Sequence, residues 1–273
     1  MLAVHSFCYQ TAVRNIFLFI LKSVVYGLAL ALVILLFFPQ FTGISLPSWQ
    51  SHNEQTEPAP VSYASAVRKA APAVVNVYTR SRVIDPRGFQ PRSIERQELG
   101  SGVIMSAKGY ILTNHHVVSG ADHIEVALQD GRWLEAVLIG QDVISDLAVL
   151  YVQADNLPVI PQDIELDSQV GDVVLAIGNP LNLGQTITQG IISANGNTGL
   201  SSRGYIDFMR MDAAINKGNS GGALVNTNGT LVGINAAAFQ LQNQEIQGIF
   251  FAVPYQLAQN IMHKLIKHGR VTR

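Results

Sequence analysis

One cysteine, Cys8, occurs in 273 residues, and it lies ahead of the first apolar segment, so no intrachain disulfide can form. No acylation motif surrounds it, and the thiol reads as a spectator. Charge is also scarce: 14% of residues are Asp, Glu, Lys or Arg, and the net charge is −1. Neither a basic patch nor an RNA-binding signature is present, so charge-driven affinity for nucleic acid is excluded. The chain is instead rich in apolar residues. At 48% apolar it can bury a sizeable core, and its length allows one or two domains.

From Ser23 to Phe41 no charged residue occurs, a run about as long as a helix needs to cross a bilayer. Arg14 and Lys22 precede it, whereas the next ionisable residues are His52, Glu54 and Glu57. That bias puts residues 1–22 in the cytoplasm and the bulk of the chain outside. The stretch Phe37-Phe38-Pro39-Gln40-Phe41 lacks a small-x-small cleavage site, and the apolar run is long for a signal peptide. Residues 23–41 therefore read as an uncleaved anchor. A buried core helix is the weaker alternative, because the segment is apolar all round. Residues 42–62, rich in Ser, Pro, Gln and Glu, describe a flexible tether.

From residue 63 the pattern changes. The run from Ala64 suits one or two helical turns, and Pro72 then introduces Ala-Val-Val-Asn-Val-Tyr, whose β-branched residues fit a first strand. Further strands are predicted at Gly100–Met105, Tyr110–Thr113, His123–Ala127, Trp133–Gly140, Leu147–Tyr151 and Val173–Ile177. Others follow at Thr186–Ala194, Phe208–Met211, Ala223–Val225, Leu231–Ala236 and Gly248–Val253. Turn signals such as Lys108-Gly109, Gln129-Asp130-Gly131 and Asn226-Thr-Asn-Gly229 separate them. Many short strands with glycine-rich turns predict an all-β barrel or sandwich. A final helix fits Pro254 to His268, stopped by Gly269.

The chemistry lies in motifs at Thr113 to Val117 (Thr-Asn-His-His-Val), Ser145 to Leu150 (Ser-Asp-Leu-Ala-Val-Leu) and Gly218 to Gly222 (Gly-Asn-Ser-Gly-Gly). The order His, Asp, Ser is that of the chymotrypsin-type triad, whereas subtilisin and α/β-hydrolase scaffolds use other orders. A serine hydroxyl is a poor nucleophile until an imidazole accepts its proton, and the imidazole needs a carboxylate to fix its tautomer. Ser220, His116 and Asp146 are the candidates. The amides of Gly218 and Ser220 are the candidate oxyanion donors, because glycine lets the backbone turn them toward developing negative charge. Gly221 and Gly222 read as room for the substrate chain. No metal or organic cofactor is needed for this chemistry.

Each residue has a rival reading. Gly-Asn-Ser-Gly-Gly by itself is a plausible polar turn. His115 adjoins His116, and His116 is preferred because it precedes Val117 in the pattern Thr-Asn-x-His-Val. Asp142 rivals Asp146 but reads as a surface turn residue, while Asp146 directly precedes an apolar strand that could seat a carboxylate under an imidazole.

These motifs, with Gly178-Asn-Pro and Asp212-Ala-Ala-Ile-Asn-Lys-Gly-Asn-Ser-Gly-Gly-Ala-Leu, resemble the HtrA (Deg) family of serine proteases from about Ala64 to Arg273. The anchor, the short loop around Ser81 to Glu98 and the stretches starting at Val126, Gly171 and Gly184 are most similar to its membrane-anchored, stress-sensing branch. The resemblance implies a chymotrypsin-like double β-barrel over residues 63–273, with the site between two perpendicular barrels. It also implies a homotrimer held in the inner membrane of a Gram-negative bacterium, with the protease domain in the periplasm. Its implied partner is a protein substrate, a membrane-bound anti-sigma factor cut under regulation when misfolded outer-membrane proteins accumulate. Ile215, Asn235, Ala236 and Ala237 fall where the family lines the pocket for the residue before the scissile bond, so small aliphatic residues are expected there.

Some positions depart from the family. Members of this type continue into a PDZ domain that binds extended C-terminal peptides; this sequence ends at Gly269-Arg-Val-Thr-Arg, about where that domain would begin, so none is expected. Leu181, Asn197 and Arg210 stand where relatives usually have tyrosine, arginine and glutamine, so any activity switch is expected to be built differently. Asn219 replaces the aspartate of digestive relatives, which excludes a zymogen-type salt bridge to a freed N-terminus. A protease-shaped binding protein and a broad quality-control protease are the alternatives. The complete triad opposes the first, and the tether and short loop oppose the second.

Overall fold

The computed structural model describes residues 3–37, 62–85, 92–179, 184–196, 208–216, 218–236, 240–241, 244–245 and 248–271. Residues 42–61 of the tether, together with Leu181, Asn197 and Ala237, lie outside the described residues. The chain divides into two units, Met1–Pro60 and Val61–Arg273.

The first unit contains α1 (Ala3–Phe37), and its stretch Phe17–Ile34 has a mean hydropathy of 2.4, long and apolar enough to cross a membrane. The helix starts well before Ser23, where the uncharged run begins. Lysine and arginine are good helix formers, so Arg14 and Lys22 interrupt the apolar run without ending the helix.

In the second unit, α2 (Ala64–Ala70) and a tight turn at Ala71–Ala73 lead into β1 (Val74–Asp85) and β2 (Arg92–Ile104). There follow β3 (Tyr110–Asn114), the short α3 (His115–Val118), β4 (His123–Ala127), β5 (Trp133–Glu135), β6 (Val137–Asp142) and β7 (Leu147–Tyr151). These strands make a 7-stranded sheet in the order β5-β4-β1-β2-β3-β7-β6. A closed barrel comes next, built from β8 (Val173–Gly178), β9 (Thr186–Ala194), β10 (Met209–Met211), β11 (Ala223–Asn226), β12 (Leu231–Asn235) and β15 (Phe250–Pro254). Two short strands, β13 (Gln240–Leu241) and β14 (Gln244–Glu245), pair separately.

This is a chymotrypsin-like fold, and it differs from two hydrogen-bonded barrels in one respect. The edge strands of the first sheet, β5 and β6, are consecutive in the chain and separated by Ala136, whose N–H donates to the Ile124 carbonyl at 2.9 Å. The covalent chain bridges the gap, so the curl needs no ladder there. The same break splits the single strand expected from Trp133 to Gly140. A departure from the sequence expectation is the hairpin β1–β2. Its register continues through Arg82↔Glu95 to Asp85↔Arg92, so the short loop expected around Ser81 to Glu98 is a paired ribbon. Its residues are mostly polar and exposed, with Arg80 held by Glu125 at 3.0 Å, so no apolar alternation announces it.

Packing explains the unbroken apolar runs. On β8, Val174 and Ala176 fill the closed barrel with Ile192, Met211 and Leu224, while Leu175 and Ile177 face the junction between the sheets with Leu112, Val149 and Val225. On β3 and β7, Ile111 and Leu150 fill the first sheet's own core with Val77 and Val126. Strands with both faces buried lose the polar alternation of a solvated sheet. The final helix, α4 (Tyr255–His268), follows Pro254 and ends at Gly269, whose φ of 68° and N–H bond to the Leu265 carbonyl at 2.8 Å close it. Its Ala258, Ile261 and Leu265 are buried in the junction core.

Candidate active site

The chain brings α3, the β6–β7 turn and the loop before β11 to one place at the junction. Asn114 ends β3 and α3 begins immediately, so His115 and His116 leave the strand together. Their rings then part: His115 Nδ1 meets Gln141 Oε1 at 3.1 Å, while His116 Nδ1 meets Asp146 Oδ2 at 2.7 Å. The other carboxylate oxygen of Asp146 accepts the His116 backbone N–H at 2.9 Å. Asp146 is thus bound to both the ring and the backbone of one histidine. An ionised carboxylate can only accept, so Nδ1 carries the proton and Nε2 is left as the ring's acceptor.

The turn that presents Asp146 is strained and firmly tied. Asp146 has φ 54°, a left-handed conformation uncommon outside glycine. Its carbonyl accepts the His115 N–H and the Asn114 Nδ2–H, each at 2.9 Å. Asp142, expected to be a surface turn residue, is buried: its Oδ2 accepts the Ser145 hydroxyl at 2.5 Å and the Ser145 N–H at 3.1 Å. Such bonds replace the water that a buried carboxylate gives up.

Ser220 lies in a loop stitched by the amides of three of its neighbours. The Asn219 N–H donates to the Asn216 carbonyl at 3.0 Å, Gly221 to Asn235 at 2.9 Å, and Gly222 to Asn219 at 3.0 Å. Among the described residues, the amides of Gly218 and Ser220 make no hydrogen bond. Gly218 has φ 106°, a backbone conformation that favours glycine. Ser220 is 7% exposed, and its hydroxyl makes no hydrogen bond to His116 among the described residues.

Gly221 and Gly222 are required by the fold itself. A Cβ on Gly221, whose φ is 81°, would run into the Ser101 carbonyl oxygen, and one on Gly222 into that of Ile177. Ile215 and Ala236 are buried. The Asn235 side chain bonds inward, its Nδ2 donating to the Ala223 carbonyl at 3.2 Å, so its amide knits β12 to β11. Arg210 is half-buried on β10. No group of three or more His, Cys, Asp or Glu among the described residues converges to hold a metal. Sequence reasoning does not find Asp142 and Ser145 as support for the site; the one signal is their spacing, three residues apart with Ser145 directly before Asp146.

Comparisons with known proteins agree with this geometry. Residues 100–234 match the family described as trypsin-like peptidase domain. Serine endoprotease DegS of Salmonella typhimurium is 51% identical over 263 residues, covering 94% of this chain and 72% of the relative. Among solved structures, a serine endoprotease from Yersinia pestis is 55% identical with a TM-score of 0.65, covering 78% of this chain and 70% of that one. The HtrA-type protease AlgW with a decapeptide is 48% identical with a TM-score of 0.68, over 78% of this chain and 70% of its own.

Proposed function

This chain belongs to the HtrA family of trypsin-like serine endoproteases and is DegS-like, and on that premise we propose that it is a membrane-anchored periplasmic enzyme making a discrete, regulated cut in a membrane-bound anti-sigma factor. Ser220 is the nucleophile. As its oxygen attacks the scissile carbonyl, its proton passes to His116 Nε2, and the oxyanion settles against the Gly218 and Ser220 amides. The imidazolium then protonates the leaving amine, and the acyl-enzyme forms. Water attacks the acyl carbon, His116 takes its proton, and the carboxylate product leaves with the Ser220 hydroxyl restored. Asp146 holds the Nδ1 proton and stabilises the imidazolium throughout.

The observation that carries this reading is the double hold of Asp146 on His116, at 2.9 Å and 2.7 Å, beside a loop whose amides at residues 218 and 220 make no hydrogen bond among the described residues. The unmade bond between Ser220 and His116 supports regulation, since such contacts tighten when substrate arrives. By their places in the family pattern, Ile215, Asn235, Ala236 and Ala237 are assigned to the pocket for the residue before the scissile bond, which suits small aliphatic side chains. Residues 23–41, which take in the C-terminal part of α1, are the anchor, with Arg14 and Lys22 keeping residues 1–22 in the cytoplasm, and the enzyme works as a homotrimer.

The test uses the full chain in detergent and its Ser220→Ala variant, each with the periplasmic domain of a membrane-bound anti-sigma factor and with casein. The proposal expects one cut in the first substrate, lost in the variant, with casein left whole. Casein reduced to small peptides favours the quality-control alternative. An uncut anti-sigma domain alongside cleavage of another protein removes the assigned substrate.

A further inference from the structure

Ser101 is a residue to which the mechanism above gives no task. It sits on β2 between Gly100 and Gly102, with 0% of its surface exposed. A hydroxyl so placed stays only if its bonds are made, and every polar group of Ser101 is engaged. The Ser101 N–H donates to the Ser220 carbonyl at 2.9 Å. The hydroxyl donates to the Gly218 carbonyl at 2.6 Å and accepts the Asn179 N–H at 3.1 Å. The Ser101 carbonyl accepts the Thr113 hydroxyl at 2.7 Å. A serine hydroxyl has one proton, and because the Asn179 amide already points at its oxygen, that proton is directed to Gly218.

We propose that Ser101 is a positioning residue for the oxyanion hole: from the opposite sheet it grips the carbonyls of the two residues, Gly218 and Ser220, whose amides make no hydrogen bond among the described residues. The role rests on the reading of those amides as oxyanion donors. A glycine with φ 106° has few steric limits on its rotation, so its orientation must be held from outside. The side chain of the neighbouring Asn219 does not hold it, since both of its buried polar atoms lack a partner among the described residues. The Ser101 hydroxyl supplies the hold at Gly218, and its N–H supplies it at Ser220. Gly221 completes the joint by packing its Cα where any Cβ would strike the Ser101 carbonyl. Donors stabilise an oxyanion only when held within about half an ångström of the productive place, so loosening this grip acts on the transition state more than on substrate binding.

The test compares wild type, Ser101→Ala, Ser101→Cys and Tyr255→Phe as full chains in detergent, with active sites counted by titration. Tyr255→Phe also removes a buried hydroxyl, but one bonded to Gln162 and Gln259. Ser101→Ala should lose on the order of 10–100-fold in kcat, with KM changed less than about threefold. Its affinity for a peptide boronate, which places an oxygen in the hole, should fall by a similar factor. Ser101→Cys, with a weaker donor at the same atom, should lie between, and it carries the test if the alanine variant does not fold. Tyr255→Phe should keep wild-type kcat and boronate affinity. Wild-type kcat and boronate affinity per active site in both Ser101 variants would overturn the proposal while leaving the triad reading intact. A wild type that neither cleaves peptide nor binds boronate at Ser220 would overturn both.

Discussion

Asp146 holds His116 at two atoms, accepting the backbone N–H at 2.9 Å and the ring Nδ1–H at 2.7 Å. The first bond locates the residue and the second sets which nitrogen faces the nucleophile, so position and tautomer come from one carboxylate.

Asp146→Asn should therefore keep the fold and lose the chemistry. The asparagine amide turned toward Nδ1 would force that nitrogen to accept and leave the proton on Nε2. We expect kcat to fall by about 10⁴ with KM nearly unchanged. A loss below tenfold, measured on a peptide substrate, would show that Asp146 does not set the tautomer.

Two glycines with positive φ separate strain from contact. Gly120, φ 70°, has open space where a Cβ would go, whereas Gly221, φ 81°, faces the Ser101 carbonyl. Gly120→Ala should cost about 1 kcal/mol, from conformation alone. Gly221→Ala adds an overlap with backbone that cannot move aside and should cost roughly 2–5 kcal/mol. Calorimetry of both variants checks the ranking, and equal losses would contradict it.

Tyr255 supplies the pH dependence. Burial pushes its phenol above the ordinary tyrosine range, and the nearby Asp163 charge adds to the effect. The folded state therefore favours the neutral phenol more than the unfolded chain does. That contribution is fully present below about pH 10, the unfolded value, and is lost as pH rises through the raised folded value. Denaturant titrations from pH 9 upward should show stability falling in wild type and a flatter limb in Tyr255→Phe. At neutral pH the variant should be less stable by about 1–2 kcal/mol, having lost bonds to Gln162 and Gln259.

Some elements were legible in the sequence for identifiable reasons. The strands at His123–Ala127, Leu147–Tyr151 and Thr186–Ala194 have the bounds that their apolar patterns and flanking turns mark. The β1–β2 ribbon was not legible, because its polar strands are stabilised by pairing across the hairpin and not by an apolar face. The break at Ala136 was hidden because an alanine between Glu135 and Val137 carries no turn signal. In the site, His116, Asp146 and Ser220 stood out through motif and order. Asp142 did not, because burial of a carboxylate depends on Ser145 folding back onto it. Ser101 did not either: the partners of its hydroxyl lie 78 and 117 positions away, at Asn179 and Gly218, and nothing local announces them.

The most direct test of the account is where an acylating or phosphonylating reagent attaches. The full chain in detergent, treated with a fluorophosphonate and digested for mass spectrometry, should carry the adduct on Ser220, and His116→Ala should abolish labelling without unfolding the protein. Labelling that persists in Ser220→Ala, or an adduct found on another residue, would contradict the assignment of Ser220 as the nucleophile.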